Sequence, residues 1–207
     1  MLNGRLYRAA FVPFLFALAI AAFSLGSRPR PFTSTLPPDA FEGGAAFAEL
    51  RTLAGEFPHR RPGSAGDEAL AAHVEATLRG LGGTAGGGFS VHGYTSTAQT
   101  IDGARTLRTI VATRPGSTDA SPIVILAHRD SAAAGAPAEL SGTAALLELA
   151  RVFASRETRR TIVIVSTSGG SGGDGGAALL AHEPSRLGLH GPFDAAIVLG
   201  DLAGETL

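Results

Sequence analysis

The chain has 207 residues, 44% of them hydrophobic, a formal net charge of −1 and no cysteine. That length holds one domain and a short leader. The near-neutral charge argues against a nucleic-acid partner, which needs a basic excess, and the missing thiols exclude disulfides, thiolate metal sites and a thiol nucleophile.

The first feature in chain order is an uncharged apolar run, Ala9–Gly26, with Arg5 and Arg8 before it and Arg28 and Arg30 after it. As a helix it would span about 27 Å, the short end for a bilayer crossing. Residues 1–26 read as an N-terminal hydrophobic helix that anchors the chain in a membrane, with the soluble part outside the cytoplasm. The alternative is a signal segment cleaved at the small-x-small site Ala19-Ile20-Ala21, which would give a secreted product. Residues 27–40 are Pro- and Ser/Thr-rich and read as a linker.

The domain is expected over residues 41–207. Phe41–Phe57 has helical spacing in Phe47, Leu50, Leu53 and Ala54. Ser64-x-x-Asp67 resembles a capping box and opens a helix that Gly82-Gly83 stops. Strands are expected over Val91–Thr95, Leu107–Thr113, Ile123–Ala127, Thr161–Thr167 and Ala195–Leu199, the last three as continuous apolar runs buried on both faces. Helices are expected over Gly142–Phe153 and Ala177–His182. This alternation predicts an α/β domain, a three-layer sandwich around a mostly parallel central sheet.

The most informative stretch is IVILAHRDSAAAGAPAELSGTAALLELA, Ile123 to Ala150. A strand ends in His128-x-Asp130, and a small-residue loop leads to Ser141-Gly142 at the head of a helix. Open α/β folds build their sites at that carboxyl edge.

These segments, together with RRPGSAG (60–66), RRTIVIV (159–165) and IVLGDLAG (197–204), resemble the two-zinc exopeptidase family. That family includes leucyl-type aminopeptidases, glutamate carboxypeptidase and glutaminyl cyclase. The resemblance implies that His128 is a zinc ligand, that Asp130 is an orienting group beside it, and that Asp201 is a second metal ligand. It also implies three carboxylates that this sequence lacks. Pro137 stands at the position of the metal-bridging Asp, and Gly170 and Ser171 stand where the family has the Glu pair that supplies a general base and a ligand. The family's last ligand, a His, is expected beyond Leu207. Two zincs need a bridging carboxylate, several flanking ligands and a base, and Glu139 and Asp174 are the nearest substitutes.

Two further patterns lie in the glycine-dense run GGSGGDGG (169–176). Gly169-x-Ser171-x-Gly173 matches a nucleophile elbow, which would make a serine hydrolase of Ser171. Gly170-x-Gly172-x-x-Gly175 matches a dinucleotide fingerprint. Such a run satisfies both by composition, and the plainer reading is an eroded loop kept for flexibility.

The expected function is therefore that of a zinc aminopeptidase-family domain, catalytically impaired, with zinc weakly held or absent. It would bind a peptide or protein ligand near the membrane that residues 9–26 enter. An active zinc aminopeptidase is the alternative.

Overall fold

The structure is a computed structural model that describes residue 11 and residues 13–18, 40–82 and 88–202. Contacts divide the chain into two units, Met1–Thr35 and Leu36–Leu207. In the first, Phe11 and residues 13–18 are helical, with Phe14 and Phe16 exposed. Most of the apolar run 9–26 lies outside the described residues. Among those described, no helix is long and apolar enough to cross a membrane.

The second unit runs α1 (Gly43–Glu56), α2 (Ala65–Gly80), β1 (Ser90–Thr100), β2 (Gly103–Arg114), β3 (Ile123–His128), α3 (Pro137–Ala154), β4 (Ile162–Thr167), α4 (Gly175–His182), a 3₁₀ turn (Pro184–Leu187) and β5 (Ala195–Leu199). The sheet order is β1-β2-β4-β3-β5. β4, β3 and β5 are parallel, while β1–β2 and β2–β4 are antiparallel, so the sheet is mixed.

Side-chain alternation builds the three layers, because successive residues of a strand point to opposite faces. Ile110, Ala112, Ile125, Ala127, Ile162 and Ile164 face a core shared with α1, α2 and α3. Val111, Val124, Leu126, Val163 and Val165 face a smaller core with Leu179, Leu180, Leu187 and Leu189. The first core has three helices over it, and the second has α4 and the 3₁₀ turn.

Three expectations need correction. First, the hairpin β1–β2 is much longer than the two short strands predicted, and it turns at Ile101-Asp102 between the paired Thr100 and Gly103. Asp102-Gly103 is a hairpin signal that was present in the sequence. Gly103 takes a φ of +86°, which glycine adopts without strain. Second, the helix expected from Gly142 begins at Pro137, in the first-turn position where its missing N–H is not needed. Third, Ala195–Leu199 is an edge strand and is not buried on both faces. Ile197 is 46% and Val198 69% exposed among the described residues.

Candidate functional site at the carboxyl edge of the sheet

The ends of β3 and β4 and the loops after them meet at one edge. Their placement depends on two buried arginines. Arg60 and Arg129 are both fully buried. Arg60 donates from Nε to Arg129 O (3.0 Å) and from Nη2 to Ala136 O (2.6 Å), and its own carbonyl accepts from Ser131 N (3.0 Å). It thereby fixes the loop that carries residues 129–136. Gly66, in the first turn of α2, packs against the chain just before Arg60. A Cβ there would lie 1.7 Å from His59 O, so only glycine allows the approach that brings α2 against this segment.

Arg129 donates to Ser166 O (3.2 Å) and Arg108 O (2.6 Å) and lies 2.8 Å from Asp67 Oδ1. Asp67 Oδ2 accepts from Gly63 N (2.9 Å) and from Ser168 Oγ (2.6 Å). The capping box read from Ser64 and Asp67 is thus half formed. Ser64 Oγ accepts from Asp67 N (3.3 Å), but the Asp67 carboxylate turns inward to Arg129. Burial pushes the Asp67 carboxyl up from its ordinary value, and the adjacent guanidinium only partly opposes this. Burial likewise pushes Arg129 and Arg60 down, offset by Asp67 at the first and by Glu139 and Asp130 at the second. In the sequence Arg60 is only the first letter of RRPGSAG, and Arg129 only the arginine between two site residues at the end of an apolar strand.

His128 and Asp130 do come together. His128 Nδ1 lies 3.3 Å from Asp130 O and 3.8 Å from Asp130 Oδ1. Thr143 Oγ1 donates to His128 O (2.8 Å) and holds the strand end against α3. The Asp130 carboxylate is fully buried and both oxygens are engaged. Oδ1 accepts from Gly170 N (3.0 Å), and Oδ2 accepts from Ser171 N (2.9 Å) and from the Ser171 hydroxyl. Asp130 is the clasp of the loop after β4.

That loop is not slack. A Cβ on Gly170 would lie 2.4 Å from His128 Cγ, one on Gly172 2.1 Å from Ile101 Cγ2, and one on Gly175 2.7 Å from Ala98 Cβ. The glycines let the loop wedge between the hairpin tip and the His128 ring, so close contact explains them and flexibility does not. The dinucleotide reading fails for the same reason, since hairpin side chains crowd Gly172 and Gly175. Ser171 does not have the left-handed backbone of a strained nucleophile, and its hydroxyl donates to a carboxylate.

Asp201 lies just after β5 and is exposed. Its segment is pinned to the head of α3. Leu202 N donates to Ser141 Oγ (2.7 Å), and Gly142 lacks a Cβ that would meet Leu199 O at 2.5 Å. The Ser-Gly pair therefore docks the β5 loop. Pro137 starts α3, and Glu139 sits in its first turn with Oε2 buried and without a hydrogen-bond partner among the described residues. Asp174 is the exposed, left-handed residue before α4. Among the described residues no three His, Asp or Glu side chains converge into a cluster able to hold a metal.

Residues 109–196 match the model of peptidase family M28. The structure is similar to a glutaminyl cyclase of Porphyromonas gingivalis, with a TM-score of 0.65 and 23% identity over 80% of this chain and 61% of that one. It is also similar to a Zn-dependent exopeptidase of Parabacteroides distasonis (TM-score 0.62, 19% identity, 82% of this chain and 64% of that one). A leucine aminopeptidase precursor of Bacteroides thetaiotaomicron gives a TM-score of 0.62 at 18% identity, over 83% and 66% of the two chains. This chain has the zinc-exopeptidase fold. It spans about three fifths of the length of the first solved structures it matches. No curated protein matches it.

The described residues around His128 do not by themselves supply a two-zinc ligand set. Asp130 already accepts from three donors of the loop, and the His128 side chain leaves no space for a Cβ at Gly170. Pro137, which the resemblance sets at the bridging position, offers no ligand atom from its side chain.

Proposed function

We propose that this domain keeps the zinc-exopeptidase framework for binding and not for hydrolysis. The observation that carries this reading is the close approach of Gly170 to the His128 ring, at a position where the resemblance expects a glutamate and where a Cβ would lie 2.4 Å from His128 Cγ. The Asp130 clasp holds that loop in place through Gly170 N, Ser171 N and the Ser171 hydroxyl. A hydrolytic two-metal site needs carboxylates free to bridge metals and to take a proton from water. The ligand proposed is a peptide or protein at the carboxyl edge, close to a membrane reached through residues 9–26. Zinc analysis of the purified chain tests the reading. The expected result is less than one zinc per chain and no chelator-sensitive cleavage of aminoacyl anilides. Two zincs per chain, with peptidase activity lost on chelation and restored by metal, would overturn it. The second reading, an active zinc aminopeptidase, is supported by the family match across residues 109–196, which include His128.

A further inference from the structure

A second cavity lies at the opposite end of the sheet, where β3 and β4 begin. Its volume is about 410 Å³, and Ile123, Ile162 and Ala120 form its apolar floor. The six residues of β3, Ile123 to His128, separate it from the candidate site by about 17 Å.

Its walls are built by backbone pairing. Ser117 N donates to Thr158 O (2.9 Å), and Thr118 donates to Arg159 O from both N (3.0 Å) and Oγ1 (2.7 Å). Gly116 permits this approach, since a Cβ there would lie 2.3 Å from Arg160 C. Two cations line the cavity. Arg160 is committed, donating to Ser121 O (3.0 Å) and lying 3.4 Å from Asp194. The Arg159 guanidinium has no hydrogen-bond or ion-pair partner among the described residues. Within the wall, the Thr158 hydroxyl is buried and has no partner among the described residues.

We propose that this cavity binds a small aliphatic carboxylate, with its head on Arg159 and its body on the Ile123–Ile162 floor. A planar guanidinium fork matches a two-oxygen head, and the apolar floor selects a ligand with a carbon chain. The volume falls in the usual range for small-molecule sites, about 300–1,000 Å³.

Hexanoate titrated into the isoleucine-methyl-labelled full chain tests this. The methyls of Ile123 and Ile162 should shift saturably, and Arg159→Gln should weaken binding about tenfold, the loss expected for one charge-assisted hydrogen bond. Inorganic phosphate and 1-hexanol should each bind at least about tenfold more weakly than hexanoate. Unmoved methyls would overturn the proposal, as would unchanged affinity in Arg159→Gln. Equal binding of phosphate would reduce the site to a basic surface, and equal binding of hexanol would reduce it to an apolar dent.

Discussion

Asp67 joins three parts of the fold through one carboxylate: the start of α2 through Gly63 N, β3 through Arg129, and the end of β4 through Ser168. Replacing one partner of a buried pair leaves the other charge uncompensated, which costs about 3–5 kcal/mol. Asp67→Ala should lower the unfolding free energy by that amount in urea titration. A loss below about 1 kcal/mol would mean that Arg129 finds another partner or that water reaches it. The helix-start role of Asp67 was readable, because Ser64 stands three residues before it. Its pairing with Arg129 was not, since a contact across 62 residues leaves no local pattern. Gly142 and Gly66 were readable only as motif letters. Their reason is the backbone oxygen that lies where a Cβ would be.

At the scale of elements, α1 is tied to α3 at its entry. Glu42 N donates to Glu148 Oε1 (2.8 Å), Arg151 Nε donates to Glu148 Oε2 (2.8 Å), and Arg151 Nη2 donates to Ala40 O (2.8 Å). The Arg151 hydrogen bond, with the Glu42 amide in support, holds the Glu148 carboxyl below its ordinary value of 4.5. A lowered folded-state pKa adds stability above the unfolded value, and this is lost as pH falls through the folded value. Glu148→Gln should therefore destabilise at pH 7 by about 0.5–1.5 kcal/mol, the scale of one net hydrogen bond. The gap between the variant and the parent should close as pH drops below 4.5. A gap that stays constant from pH 7 to pH 3 would rule out the ionised form as its source. The elements with strong local signals, β3, β4 and α2, stand within about a residue of their expected limits. The β1–β2 hairpin was only partly visible because its outer half, Ser96–Arg105, is polar and partly exposed. The apolar sequence of β5 reported its strand propensity correctly but said nothing about what covers it.

For the whole molecule, the membrane attachment proposed for residues 9–26 sets where the domain works. The full chain should stay with membranes through an alkaline carbonate wash. A soluble product whose N-terminus is Ala22 or Ser27 would identify a cleaved signal instead. The layered fold itself was legible from the order of elements. What the letters could not convey is how the loop after β4 is held. It clasps Asp130, reaches Asp67 through Ser168, and packs its glycines on Ile101 and Ala98. A redesign that simply wrote glutamate back at Gly170 would drive a side chain into the His128 imidazole. Any side chain at Gly170 must first displace that ring, while Ile101 and Ala98 at the hairpin tip limit Gly172 and Gly175 instead.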